Sequence, residues 1–229
     1  MPRVFITGSS DGLGLMAARL LIEQGHQVIL HGRNGSRSRD ALAAAAGAEG
    51  VVTGDLSTIA GTRAVADAVN KLGPFDSVIH NAGVGYRESR RLETEPGVPR
   101  VFAVNVLAPY ILTALIETPK RLVYLSSGMH HAVRPRMDDL LWTKRAWGGS
   151  TAYAESKLCD VLLAFAIARR WRNILSALLL YRFVLTLSMN QCISILEWVG
   201  NADQGDLVVR WRDLRCRTLV LLLDLYTDI

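Results

Sequence analysis

Proline stops at Pro135 and histidine at His131, although the chain runs on to Ile229. Of its nineteen glycines, only Gly200 and Gly205 lie beyond Trp171. A stretch so poor in turn residues does not read as a second α/β unit, so no further domain is expected there. Cysteine is equally scarce: Cys159, Cys192 and Cys216 are odd in number and share no ligand-like spacing. That excludes a disulfide framework, fits buried thiols in a reducing compartment, and leads us to expect no metal. The longest apolar run, "ILSALLLYRFVLTL", is too short to span a bilayer and contains Arg182, so no stable membrane insertion is expected. "RVFIT" follows the first two residues directly, without the basic region and cleavage site of a signal peptide, and the cytoplasm is the expected compartment. Charge is mixed along the chain: 26 Lys and Arg against 21 Asp and Glu give +5, with no basic tail or stripe. Nucleic-acid binding is therefore not expected.

What is present is a regular alternation. The chain is 50% hydrophobic and 21% charged over 229 residues, which suits one soluble domain with a sizeable core. "RVFIT" reads as a strand, followed by the turn "GSSDGLG" and a helix with Leu13, Ala17, Leu20 and Leu21 on one face, stopping at Gly25. "QVILHG" is a second strand, "SRSRDALAAAAG" a helix ending at Gly47, and "GVVTGD" a third strand. "TRAVADAVNKLG" is helical and "FDSVIHNAG" is a fourth strand running into a loop. A long helical pattern covers about 101–117, "RLVYLSS" is a fifth strand, and a polar loop leads to a helix over about 151–171. Strands this apolar, alternating with helices, predict a Rossmann-type, doubly wound parallel sheet covered on both sides. Ligands of such sheets sit at the carboxyl ends of the strands, where Gly8, Asp55, Asn81 and Ser127 all fall.

Several of those positions carry chemistry. In "TGSSDGLG", Gly8, Gly12 and Gly14 would let the backbone turn tightly and approach a pyrophosphate at the positive end of the first helix. After strand two the chain reads "LHGRN", with Arg33 and no acid until Asp40. An NAD site usually places an acid there, whereas a cation pairs with a 2′-phosphate, so NADP is expected ahead of NAD. Asp55 and Leu56 after strand three, and Asn81, Ala82 and Gly83 after strand four, would flank the adenine; they read equally as ordinary turn residues. Pro109 lies inside a helical pattern and lacks the N–H that would bond the carbonyl of Asn105. A local kink and a free Asn105 carbonyl, satisfied by an ordered water, are expected. Tyr153 and Lys157 stand four apart and share a helix face, a spacing that alone reads as surface decoration.

In this order, "TGSSDGLG", "NAG", Asn105, "YLSS" and "YAESK" resemble the short-chain dehydrogenase/reductase family over about residues 3–171. The loop between Ser127 and Tyr153, with "GMHHAV" and "MDDLLW", is similar to that of the retinol-dehydrogenase-like branch. The resemblance implies a catalytic tetrad of Asn105, Ser127, Tyr153 and Lys157, with Ser126 as the alternative serine. It also implies a dinucleotide held by Gly8, Ser10, Gly12, Leu13, Gly14, Asn81, Ala82 and Gly83, together with Tyr153 and Lys157. A phenol ionises near pH 10 in water, and a lysine ammonium one turn away would favour the phenolate. The implied activity is hydride transfer between the nicotinamide and a small apolar alcohol or carbonyl substrate; a homo-oligomer is compatible with it.

His130 and His131 read first as a packed or solvated pair, Trp142 and Trp147 as packing for their loop, and "YRESRR" as a solvated face. The resemblance implies residues 1–171 as the dinucleotide-binding and catalytic part, and 172–229 as an atypical C-terminal segment of the same domain. Within that segment "NILSALLLYRF" offers a sixth strand and "TLVLLLDLY" a last one, but no Pro-Gly turn follows the former. An altered reading frame or a divergent end would both produce this composition. The alternative function is thus a dinucleotide-binding or interaction protein of the same fold with little turnover, or a truncated product.

Overall fold

The alternation is realised as a parallel sheet in the computed structural model, which describes residues 1–134, 136–171 and the backbone of 175–181. Strand β1 (Arg3–Ile6) leads through α1 (Gly12–Glu23) to β2 (Gln27–Gly32), α2 (Gly35–Ala44), β3 (Gly50–Thr53), α3 (Ile59–Lys71) and β4 (Ser77–His80). A short antiparallel pair, β5 (Glu93–Glu95) and β6 (Val98–Pro99), precedes α4 (Arg100–Phe102), a π-helical turn (Ala103–Leu107) and α5 (Ala108–Leu115). Then come β7 (Arg121–Ser127), a 3₁₀ turn (Gly128–Ala132), α6 (Gly149–Arg170) and β8 (Leu175–Tyr181). Six strands pair in parallel in the order β3-β2-β1-β4-β7-β8.

Alternation along each strand feeds two cores. Val4, Ile6, Val28, Leu30 and Ile79 pack with Ala18 and Leu21 of α1 and Ala41 of α2. Phe5, Ile29, Val78, Leu122 and Tyr124 face the other way, against Val65, Val69, Ile111 and Leu163 of α3, α5 and α6. Covering both faces is what the run of apolar residues in each strand requires. The strand order reverses at β1, with β2 and β3 on one side and β4, β7 and β8 on the other. A crevice therefore opens beyond the carboxyl ends of β1 and β4.

Three local expectations shift. The buried stripe of α1 runs through Gly14, Ala18 and Leu21 rather than Leu13, Ala17 and Leu20, because Gly14 is pressed against neighbouring backbone. Helix α2 ends at Ala44, three residues before Gly47. The irregularity expected from Pro109 takes the form of the π-helical turn, in which the Ala108 N–H bonds the Ala103 carbonyl five residues back. The sixth strand expected in "NILSALLLYRF" is β8. The last strand in "TLVLLLDLY", Cys192, Cys216 and the rest of the atypical segment lie outside the described residues. Among the described residues, no helix is long and apolar enough to cross a membrane.

Candidate active site

The turn after β1 is built around close backbone approach. Gly8 has φ +62°, and a Cβ there would stand 2.8 Å from the Ala82 Cα. A Cβ on Gly14 would collide with the Asn81 amide nitrogen and the Gly8 carbonyl. Asn81 Nδ2 donates to the carbonyls of Thr7 and Gly8, both at 2.9 Å, and the N–H groups of Asn81 and Ala82 donate to Thr7 Oγ1, both at 3.0 Å. The loops after β1 and β4 are thereby one unit. Asp11 precedes α1 without a side-chain cap, and a Cβ on Gly12 (φ +52°) would meet nothing within 4 Å. Uncapped amides at a helix start, next to open space and bare backbone, fit a pyrophosphate. Ser10 and Leu13, both half-buried, flank that space.

A residue the sequence reading passed over, His31, ties this unit to β3. The Gly8 N–H donates to His31 Nδ1 at 3.0 Å, so the ring proton sits on Nε2 and is donated to the Gly54 carbonyl at 2.9 Å. Burial holds the imidazole down to about 4, against an upward pull from the Gly54 carbonyl and Asp55. His80, fully buried on β4, is held down to about 3 by burial. Unfolded histidine takes up its proton near pH 6.5. The stabilisation is thus complete above about pH 6.5 and is lost as pH falls towards the folded values, on the order of 3 kcal/mol for His31 by about pH 4. Melting temperatures should fall steadily from neutral pH to about pH 4.5, and less steeply for His31→Gln. A flat profile in the native protein would contradict the assignment.

At the end of β2, Arg33 is exposed. Asn34 caps α2 by accepting from the Arg37 N–H at 3.0 Å, and the Arg37 guanidinium forms an ion pair with Asp11. Arg37, unmarked in the sequence reading, is a second cation at this rim. Asp55 spends a carboxylate oxygen on the Ser57 N–H at 2.9 Å, and Leu56 is buried in the core, so both also serve the turn.

The remaining candidates gather around α6. Asn105 is fully buried; its Oδ1 accepts from the Val84 N–H at 2.8 Å. Its Nδ2 donates to the Val84 carbonyl at 3.0 Å and to Ser156 Oγ at 2.9 Å, and Ser156 donates to the Tyr153 carbonyl at 2.7 Å. One amide thus joins the loop after β4 to the helical turn that carries Tyr153. Lys157 is buried, and its Nζ donates to the Leu125 carbonyl at 2.8 Å and to Asp160 Oδ2 at 2.9 Å. A Cβ on Gly83 would lie 3.5 Å from that Nζ and 3.7 Å from Asn105 Oδ1, so lysine, asparagine and the "NAG" loop meet at one point. Ser126 donates to the Lys157 carbonyl at 2.7 Å; Ser127, on the opposite side of β7, accepts from the Met129 N–H at 3.3 Å. Tyr153 is half-buried, with its ring edge-on to Tyr86 at 5.6 Å and packed against the cluster of Val101, Trp142 and Ala152. Among the described residues, no hydrogen bond links the side chains of Ser127, Tyr153 and Lys157 to one another.

The loop before α6 is clasped to it. Arg145 donates to both carboxylate oxygens of Glu155, at 2.8 and 2.5 Å, and to the Asp139 carbonyl at 3.2 Å. It also pairs with the Asp139 carboxylate at 3.2 Å and covers the Trp142 ring at 3.6 Å. Trp147 Nε1 donates to the Glu88 carbonyl at 2.9 Å, so both tryptophans pack the loop. His130 is packed, with Nδ1 on the Ser127 carbonyl at 2.5 Å, and His131 is exposed beside it. The "YRESRR" stretch is mostly solvated, except that Glu88 pairs with Arg100 and Arg91 bonds the Leu141 carbonyl at 3.1 Å. Among the described residues, no group of three or more His, Cys, Asp and Glu is placed to hold a metal.

Comparison with known proteins bears on this arrangement. The short chain dehydrogenase family model matches residues 2–120. An uncharacterized oxidoreductase of Emericella nidulans is 51% identical over 175 residues, covering 76% of this chain and 66% of that protein. The short-chain dehydrogenase chry4 of Gibberella zeae is 44% identical over 176 residues, covering 76% and 67%. Retinol dehydrogenase 14 of Homo sapiens, more distant, is 30% identical over 192 residues, covering 73% and 56%. The chain thus spans about two thirds or less of the length of these curated relatives. Among solved structures, an uncharacterized protein of Mycobacterium paratuberculosis is similar with a TM-score of 0.80 at 24% identity, covering 100% of this chain and 94% of that one. A metagenomic short-chain oxidoreductase in complex with NADP has a TM-score of 0.65 at 23% identity, covering 89% and 92%. These two likenesses bear on the fold alone.

Proposed function

The chain belongs to the short-chain dehydrogenase family, and on that premise we propose that it is an NADP(H)-dependent oxidoreductase acting on an apolar alcohol or carbonyl compound. The observation that carries the reading is the meeting of Lys157 Nζ, Asn105 and Gly83 beside the helical turn of Tyr153. Gly8, Ser10, Gly12, Leu13 and Gly14 would hold the pyrophosphate, Asn81, Ala82 and Gly83 the far wall, and Asp55 and Leu56 the adenine side. When bound, the dinucleotide supplies or takes up the hydride.

In reduction, Tyr153 gives its phenolic proton to the carbonyl oxygen; in oxidation it takes the proton from the alcohol. Ser127 donates a hydrogen bond to the same oxygen, while Ser126, engaged with the Lys157 carbonyl, serves the helix instead. Lys157 offers a positive charge that favours the phenolate, and it has a third N–H left for the nicotinamide ribose. Asn105 orients the turn beneath Tyr153, and its carbonyl, which Pro109 cannot bond, would take the relay water. The Tyr86 ring beside Tyr153 favours an apolar substrate. The buried thiol of Cys159, pushed up by burial, suits the cytoplasm.

The cofactor is tested by titrating NADPH and NADH into the purified chain and into Arg33→Ala. Losing a charge-assisted contact of about 1.5–3 kcal/mol should weaken NADPH roughly tenfold to a hundredfold and leave NADH nearly unchanged. Equal losses would sink the NADP assignment. NADPH oxidation against apolar aldehydes and ketones tests the reaction. Binding without turnover would favour the second reading, a dinucleotide-binding protein of this fold, which the composition after Trp171 favours.

A further inference from the structure

Helix α6 carries an acid in the middle of its apolar run, "LCDVLLAF". Asp160 is 3% exposed, its Oδ2 accepts from Lys157 Nζ at 2.9 Å, and its Oδ1 is buried with no partner. Burying a carboxylate with one oxygen unmatched is costly, and the lysine is what keeps it ionised. We infer that Asp160 is a positioning residue of the active site. Its carboxylate holds the Lys157 ammonium against β7 and cancels much of its charge, and so governs the pH range in which Tyr153 works. The inference rests on the roles proposed above for Tyr153 and Lys157.

The surroundings bring no second cation into contact with Asp160. On β7, Tyr124 is held protonated by burial, with the Asp160 charge adding to the effect, and its hydroxyl bonds Thr113 Oγ1 of α5 at 2.7 Å. Thr113 also meets Nε2 of His80 on β4 at 3.1 Å, and His80 is neutral. On α6 itself, the Cys159 thiol is pushed up by burial, and Glu155 shares the Arg145 guanidinium with Asp139. Of the described groups facing Asp160, Lys157 therefore supplies the positive charge. Burial raises the Asp160 carboxyl, with the hydrogen bond and charge of Lys157 pulling against it, so the two groups offset each other's charge where both are ionised. A lysine with a carboxylate at 2.9 Å favours a neighbouring phenolate less than a lysine alone.

The test uses the full chain with Asp160→Asn and Asp160→Leu. Asparagine keeps the size and an acceptor for Lys157 but removes the charge. Ionisation of Tyr153 is read from the tyrosinate ultraviolet band of the cofactor-free protein during a pH titration, with the Tyr153→Phe trace subtracted. In Asp160→Asn it should occur about one pH unit lower than in the native protein. The alkaline limb of kcat/KM for NADPH-dependent reduction, where Tyr153 must be protonated, should move down with it. Asp160→Leu should show the same optical shift and, having lost the lysine's anchor, NADPH binding weaker by roughly tenfold, about the worth of one ionic hydrogen bond. Should the asparagine variant melt below the assay temperature, the leucine variant, suited to its apolar surroundings, provides the titration. An unmoved tyrosinate titration in a folded variant overturns the inference. If instead Tyr153→Phe turns over like the native protein, the proposed reaction fails while the optical shift still judges Asp160.

Discussion

Tyr153→Phe is expected to lower turnover by roughly a thousandfold while leaving NADPH affinity within about twofold. The substitution removes one proton-carrying atom and little else. The phenyl ring keeps its edge contact with Tyr86 and its packing against the cluster of Val101, Trp142 and Ala152. The hydrogen bonds that orient the turn run through the Tyr153 carbonyl, Ser156 and Asn105, none of which depends on the phenol. Paired measurements of single-turnover rate and binding separate chemistry from assembly. A rate within tenfold of the native protein would exclude Tyr153 as the proton donor, whatever the fold.

Arg145→Met is expected to cost about 3 kcal/mol of stability and to lower the melting temperature by about 6–12 °C. The side chains of Asp139 and Glu155 are 1% and 7% exposed, and both carboxylates face the one guanidinium. Removing it leaves two buried negative charges with nothing opposite, which is worse than having no ion pair at all. Adding Asp139→Asn and Glu155→Gln to Arg145→Met should recover much of the loss, because the triple variant buries no unmatched charge. Differential scanning calorimetry distinguishes these outcomes. Failure of the triple variant to recover would assign the loss to the Trp142 contact instead.

The sheet was legible because its strands are written as apolar runs ended by turn residues: "QVILHG" and "RLVYLSS" match β2 and β7 residue for residue. Pro109 announced an irregular helix, since a missing N–H is a property of the residue itself. What could not be read was pairing across the chain. His31 looked like one more strand residue, because its two partners, Gly8 and Gly54, lie 23 positions away on either side. Arg145, Glu155 and Asp139 looked like three ordinary charges until a folded loop brought them together. Asp160 did leave a trace, an acid three residues after Lys157 inside an apolar run, and that mismatch was signal enough to have marked it. That Ser126 engages the Lys157 carbonyl while Ser127 lies on the other face of β7 needs the neighbouring helix in place to be seen.

That last pair makes chemistry a question of register. Successive residues of a strand point to opposite sides, so sliding β7 by a single residue would send the Ser126 hydroxyl to the crevice and Ser127 into the helix. β4 holds β7 over four residues, from Ser77 opposite Arg121 to His80 opposite Tyr124, and stops short of the serines. β8 pairs with β7 along seven, from Leu175 opposite Arg121 to Tyr181 opposite Ser127. The outermost described strand is thus the vernier of the sheet: through its backbone pairing it fixes which serine would face the proposed reaction.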